Sequence, residues 1–279
     1  HGHAEPPHRG AFSPDGTRLA TGGVDNTARL WDVASGRALA TLEHGNAVLA
    51  LAFDRTSQRL ATAGMDGIIK LWDGHTGAPR GRLVLGHIIT QLEFAPGTAR
   101  LAALNEGTVR SFDGPDATPG RQRTFAGATR ILFTSADQLV VGDRDGVVWQ
   151  WNLGDDSVKQ RGRHRGGAVA ELVLRGGDVV VSRDLQGGLL MSDASSPAGE
   201  LFARDQLDTL LSPHGDLALA LEPDSTVRLL ELASGQQVAT LVGQPGRVSA
   251  VALTRGGDRV ATAGGGAGRL WGPPRAPPL

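Results

Sequence analysis

The chain has 279 residues, 40% of them hydrophobic and 20% charged, with no cysteine and a formal net charge of −1. The absence of Cys excludes disulfides and thiolate metal sites, and the near-cancelling charge removes any global electrostatic case for nucleic acid or a membrane surface as partner. The longest clean apolar run, AVLALAF at 47–53, is far too short to span a bilayer.

No signal-peptide pattern opens the chain, and a cytoplasmic location is the expectation. Its basic residues are Arg except Lys70 and Lys159, a bias that, with abundant Ala and Gly, points to a GC-rich bacterial genome. The first residue is His1 rather than Met, so the expectation is a domain cut from a longer protein. The opening segment HAEPPHRGAF is a poor strand because of Pro6 and Pro7, and is expected to be irregular until about Gly10. Next comes LATGGVDNTARLWD, ending at Trp31-Asp32, and the pattern returns as LATAGMDGIIKLWD, ending at Trp72-Asp73. Eroded copies end at Phe112-Asp113, Trp151-Asn152, Ser192-Asp193, Leu230-Glu231 and Trp271-Gly272. Successive Trp-equivalent positions differ by 41, 40, 39, 41, 38 and 41, the signature of one supersecondary unit repeated along the chain.

Residues 44–84 show one unit. VLALAF (48–53) is mostly apolar, RLATAG (59–64) and IIKLWD (68–73) flank the turn Met65-Asp66-Gly67, and GRLVL (81–85) follows a Gly/Pro turn. Four short antiparallel strands per unit read as one blade of a propeller. A lone blade leaves both broad faces apolar, so stability comes from packing against the next blade.

The chain resembles the WD-repeat β-propeller family over roughly residues 2–272. The fold implied is all-β, with seven blades of four antiparallel strands. In that family a His, a Ser or Thr, an Asp and a Trp form a hydrogen-bonded set in each well-kept blade. The matches are His3, Thr21, Asp25 and Trp31 in blade one, and His44, Thr62, Asp66 and Trp72 in blade two. Such a set is tolerated in a core only when complete. The remaining blades depart from it. Blade three has Glu106 and Phe112, blade four keeps Asp145 and Trp151 without a His, and blade five has Gln186 and Ser192. Blade six keeps Asp224 but has Leu230, and blade seven has Gln244, Gly265 and Trp271. Around Asp145, waters or shifted side chains are expected to fill the gaps. Blade seven offers three strands before prolines intervene, and its fourth is expected upstream of His1. Residues 273–279 read as a Pro-rich tail or linker.

Other constellations carry weaker chemistry. His1, His3 and His8 would suit a square-planar metal at a free amino terminus, but His3 is better read as a blade residue. RGRHRGG at 161–167 would suit phosphate or an acidic peptide, but reads first as a solvated loop. GGGAG at 264–268 lacks the strand-to-helix context of a phosphate cradle and reads as a tight turn. No Ser sits in a nucleophile-elbow context. The resemblance implies a top face formed by residues just before each turn Asp and by those entering each inner strand. Carried over, these are Val24, Met65, Asn105, Arg144, Leu185, Pro223 and Gly264, with Asn46, Ile88, Arg165 and Arg247 entering. Apolar anchors beside Arg suit a protein or peptide partner with an acidic group.

The function expected is therefore a non-catalytic interaction scaffold without metal or cofactor, within a multidomain signalling or regulatory protein. The alternative is a propeller enzyme, a hydrolase or oxidoreductase, with its site at the channel mouth, for which Glu5, Asn105 and Asp205 are the polar groups on offer. Nucleic-acid binding is disfavoured because the Arg residues lack interleaved aromatics.

Overall fold

The computed structural model describes residues 2–175, 178–192, 199–202, 208–212, 216–221, 226–232, 234, 236–241, 248–253, 260–264 and 267–272. Its regular elements are all strands. Blade one is β1–β4 (Pro7–Phe12, Arg18–Gly23, Thr27–Asp32, Ala38–Glu43), and blade two is β5–β8 (Val48–Phe53, Arg59–Gly64, Ile68–Asp73, Pro79–Val84). Blade three is β9–β12 (Ile89–Phe94, Leu101–Asn105, Thr108–Asp113, Thr118–Thr124), and blade four is β13–β16 (Ala128–Phe133, Gln138–Asp143, Val147–Asn152, Val158–Arg163). Blade five is β17–β20 (Val169–Leu174, Val180–Asp184, Leu189–Ser192, Gly199–Phe202), and blade six is β21–β24 (Asp208–Leu211, Leu217–Leu221, Val227–Glu231, Gln237–Leu241). Blade seven is β25–β27 (Val248–Leu253, Val260–Gly264, Ala267–Trp271). Six sheets are four-stranded, the last is three-stranded, and in each the strands neighbour one another in chain order.

The meander follows from turn chemistry. After Gly23 and Gly64 the chain turns through three residues, the third in the left-handed region, as Asn26 (φ 65°) and Gly67 (φ 69°). Between first and second strands the register slips by one residue, between Pro7 and Arg9 in blade one and between Val48 and Ala50 in blade two. The opening strand starts at Pro7, three residues before the expected Gly10, because a proline is tolerated as the first residue of an edge strand.

The chain divides into two compact units, residues 1–141 with 151–158, and residues 142–150 with 159–279. In the first, Ala20, Leu30 and Leu42 of blade one pack with Val48 and Leu60 of blade two. Ala50, Ala52, Ala61 and Ala63 of blade two meet Leu92, Phe94, Leu101 and Phe112 of blade three, small side chains against large. Each fully buried Leu or Phe contributes about 1.5–3 kcal/mol, so these seams are the dominant stabilising term. In the second unit, Val181 and Leu189 pack with Leu211, Ala218 and Leu232, while Leu219 and Leu229 pack with Val260 and half-buried Trp271. Burial in β5 alternates, Val48, Ala50 and Ala52 buried and Leu49, Leu51 and Phe53 half-buried, rather than being complete on both faces as its composition suggests.

Arginines at the start of the second strand fasten successive blades of the first unit. Arg18 donates to Asp32 (2.8 Å) and to His75 O (3.3 Å), Arg59 to Asp54 (3.0 Å) and to Ala99 O (3.2 Å). Arg100 bonds Asp113 and Asp137 and donates to Ala136 O (2.9 Å).

Candidate functional site

The hairpins between second and third strands carry most of the residues expected to matter, so the polar groups that hold them come first. In blade one His3 Nδ1 lies 2.9 Å from Asp25, His3 Nε2 2.7 Å from the Thr21 hydroxyl, and the Trp31 indole N–H donates to Thr21 at 2.8 Å. Blade two repeats this with His44 on Asp66 (2.9 Å), His44 on Thr62 (2.7 Å) and Trp72 on Thr62 (2.8 Å). The carboxylate accepts only, so Nδ1–H donates to it, the hydroxyl donates to Nε2, and the same hydroxyl oxygen takes the indole proton. Asp66 also accepts the amides of Gly45 (3.0 Å) and Ile68 (3.1 Å), tying the hairpin to the loop that enters β5. Burial pushes Asp25 upward, but the Thr27 hydroxyl, His3 and the amides of Ala4 and Thr27 more than reverse this, to a pKa of about 2.

Blades four and five hold their hairpins with a carboxylate placed two residues earlier. Asp143, at the Gly64 position of the repeat, accepts the amides of Asp145 (2.9 Å) and Val147 (2.8 Å) and the Trp149 indole (2.8 Å). Asp145 itself is exposed, so the residue expected to need compensating partners stands in solvent and Asp143 supplies the shifted side chain. Trp151 turns its N–H to Asp156 (2.7 Å), and Phe125 stands where blade two has His44, packed edge-on against that indole at 5.9 Å. In blade five Asp184 accepts the amides of Gln186 (2.9 Å), Gly188 (2.8 Å) and Gly166 (3.2 Å). His164 sits 2.8 Å from the Ser182 hydroxyl and 3.4 Å from Asp184. His164 is thus buried, a blade residue rather than part of a solvated basic loop. The signal was in the spacing: His164 precedes Ser182 by 18 residues, as His3 precedes Thr21 and His44 precedes Thr62. The displaced carboxylate and the missing Trp hid it.

Blade three abandons the polar set. Leu85 and Ala103 stand in place of His and Thr, Phe112 in place of Trp, and all are buried. Its hairpin is one residue shorter: Asn105 pairs with Thr108 across Glu106 (φ 48°) and Gly107 (φ 81°). Counting back from Phe112 therefore misplaces Asn105. It is not a top-face residue; it occupies the Gly64 position, is 3% exposed, and donates to His87 O (2.9 Å) and Ile88 O (3.3 Å).

The other expected contact residues lie as follows. In the first unit Val24 is 47% and Met65 45% exposed, Asn46 is exposed and Ile88 half-buried. Hairpin tips and entering loops alternate there, joined by His44 N–H to Asn26 O (2.8 Å), Met65 N–H to Ala47 O (3.0 Å) and Leu85 N–H to Gly67 O (2.8 Å). In the second unit Arg144 and Arg165 are exposed and Leu185 is 72% exposed. Loop 164–168 joins both tips, through His164 N–H to Gly146 O (2.9 Å) and Leu185 N–H to Ala168 O (3.1 Å). Pro223, Arg247, Asp205, Asp224, Gln244, Gly265 and His1 lie outside the described residues. Gly264 pairs with Ala267, the last residue of β26 with the first of β27. Blade seven retains Trp271 N–H on Thr262 at 2.9 Å. Among the described residues no group of three or more His, Cys, Asp or Glu side chains has metal-holding geometry, and no helix is long and apolar enough to cross a membrane.

Residues 1–32 and 36–73 match the WD domain, G-beta repeat. These are blades one and two, where the polar sets are complete. Over 51 residues the chain is 45% identical to the eukaryotic translation initiation factor 3 subunit I of Phaeosphaeria nodorum (strain SN15), a match covering 16% of this chain and 15% of that protein. Over 53 residues it is 43% identical to the small ribosomal subunit protein RACK1 of Drosophila melanogaster, covering 19% of this chain and 17% of that one. Protein groucho of Drosophila melanogaster is 45% identical over 42 residues, 15% of this chain and 6% of that one. Among solved structures, the RRP9 WD40 repeats superpose with a TM-score of 0.75 at 17% identity, covering 94% of this chain and 88% of that one. The Cps50 (Swd1) β-propeller domain of Myceliophteria thermophila gives 0.72 at 16% identity and 98% coverage of both chains. The fold is thus that of a β-propeller, with seven blades among the described residues, the last three-stranded, and the first two blades match the WD repeat. The organisms named are eukaryotes and lend no support to the bacterial origin that composition pointed to.

Proposed function

We propose that this chain is a non-catalytic scaffold that binds protein or peptide partners through its hairpin tips, as the interaction domain, residues 1–272, of a larger cytoplasmic signalling or regulatory protein. Residues 273–279 serve as a Pro-rich linker. The observation that carries this reading is the equivalent placement of Val24, Met65 and Leu185, large apolar side chains held open to solvent on hairpins that buried Asp side chains pin. Holding such side chains in water costs free energy that partner binding recovers, and loops fixed on a rigid scaffold are where binding residues concentrate. Exposed Arg144 and Arg165, on a hairpin tip and on the loop that bonds to the tips of Arg144 and Leu185, favour a partner with an acidic group.

The test is affinity capture with the full chain and with Met65→Glu and Leu185→Glu, using Leu39→Glu as the comparison. Leu39 is 43% exposed but lies on an outer strand. At least one tip variant is expected to lose partners that the wild type and Leu39→Glu retain. Identical capture by all four chains rejects the assignment.

A further inference from the structure

The first strand of each blade carries its second strand on one side and leaves the other edge free. In β9 the Ala95 N–H is used toward Arg100 O, so by alternation the main-chain groups of Leu92 face the free edge. Open edges are a liability that proteins cover. Arg9 and Gln91 do so. Arg9 Nε donates to Leu49 O (3.2 Å), crossing from blade one to blade two. Gln91 crosses from blade three to blade four with both ends of its carboxamide: Nε2 donates to Ile131 O (2.8 Å), and Oε1 accepts the Ile131 N–H (2.9 Å).

Arg9, Ala50 and Gln91 are the same position of the repeat. Each is the first residue after the register slip, paired with Gly22, Ala63 and Leu104 respectively. Ala50 has a methyl where its counterparts have polar side chains, so the crossing from blade two to blade three is not made. A cavity of about 260 Å³ lies there, its walls including Ala50, Arg9, Arg130, Thr90, Gln91 and Glu93. Leu92, also in the wall, is the counterpart of Ile131. Both stand three residues before the amide that closes the following hairpin, Ala95 and Thr134. Arg9 and Arg130 stand in the lining with one carboxyl, that of Glu93. Burial pushes Glu93 up to about 7 against the pull of Arg55, so near neutrality it is partly uncharged.

We propose that this cavity binds a carboxylate, either an Asp, Glu or C-terminal group of a partner peptide or a small organic acid. One oxygen accepts the Leu92 N–H, as the Gln91 carboxamide accepts that of Ile131, and the guanidinium groups of Arg9 and Arg130 neutralise the charge. Glu93, when protonated, adds a donor instead of a repelling charge. The site lies along first-strand edges, apart from the hairpin tips, and does not depend on their assignment.

Calorimetric titration of the full chain tests this with three probes: succinate, acetyl-Glu-Glu-amide and acetyl-Gln-Gln-amide. A carboxylate probe is expected to bind with a Kd of about 1 mM or tighter. Binding of the dipeptide alone assigns the site to a partner side chain, and binding of both shows that the carboxylate group suffices. Ala50→Gln places in the gap the same carboxamide that Gln91 carries, and is expected to weaken binding about tenfold while leaving the urea midpoint unchanged or higher. Arg9→Gln is expected to weaken binding about tenfold through loss of a charged donor. Affinity falls between pH 6 and pH 8 as Glu93, which shares the cavity wall with Arg9 and Arg130 and feels the charge of Arg55, becomes ionised, and Glu93→Gln flattens that dependence. No binding of either carboxylate at roughly 10 mM, equal binding of the carboxamide dipeptide, or wild-type affinity in both Ala50→Gln and Arg9→Gln overturns the proposal.

Discussion

His44 serves two partners at once, and its ionisation is set by their company. Burial holds its pKa below the ordinary value of 6.5, although Asp66 pulls the other way. Burial also pushes Asp66 upward, but the amides of Gly45 and Ile68, and His44 itself, leave it below its ordinary 3.8. Both folded-state values are depressed, so both contributions are present above the unfolded values and are lost on acidification. That of His44 fades as pH falls below 6.5, because the unfolded chain takes up a proton that the blade resists; that of Asp66 follows below 3.8. Urea midpoints at about pH 7.5 and 5.5 should therefore drop further for wild type than for His44→Gln, by an amount on the order of 1 kcal/mol. Equal drops would place the acid sensitivity elsewhere.

At the scale of the blade, one structural task is met by different residues. A hairpin needs its amides capped, and the repeat offers two places for the carboxylate: inside the turn, as Asp25 and Asp66, or at the last residue of the second strand, as Asp143 and Asp184. The second place is closed in blade two, where a Cβ on Gly64 would lie 1.9 Å from Ala47 O. Blade three shows the other solution, replacing the His, Thr and Trp together by Leu85, Ala103 and Phe112, which is near neutral where losing a single member is not. Asp184→Ala is expected to cost about 2–4 kcal/mol through uncapped amides and the lost contact with His164. Gln186→Ala, at the turn position where blades one and two have Asp, should stay within about 0.5 kcal/mol. Chemical denaturation of the two variants decides this, and the reverse order would return the capping role to position 186.

For the whole molecule, stability is built from contacts between neighbouring blades. In the first unit the arginine fasteners ride on apolar seams and touch separate acceptors: Arg18 reaches Asp32 and His75, while Arg100 reaches Asp113, Ala136 and Asp137. In a quasi-linear stack such contributions are local. Arg18→Met and Arg100→Met should each cost about 1 kcal/mol, and the double variant should equal their sum within about 0.5 kcal/mol. A larger loss on unfolding by urea would mean that the fasteners act through a shared element.

What the sequence determined by itself was the period and what rides on it: strand order within each blade, a three-stranded last blade, and the polar sets of His3 and His44, because four residue types at fixed offsets survive as text. Offsets fail where the chain gains or loses one residue. The shortened turn at Glu106 moved Asn105 from the rim into the interior, and the shifted Asp184 concealed the set around His164. Neither did the text mark the cavity at Ala50, an alanine among alanines until the strand pairing puts it in line with Arg9 and Gln91. Hydrogen bonds are satisfied in space, by whichever carboxylate or carboxamide reaches the amide. Packing decides which positions coincide, and the register, not the residue count, carries that information.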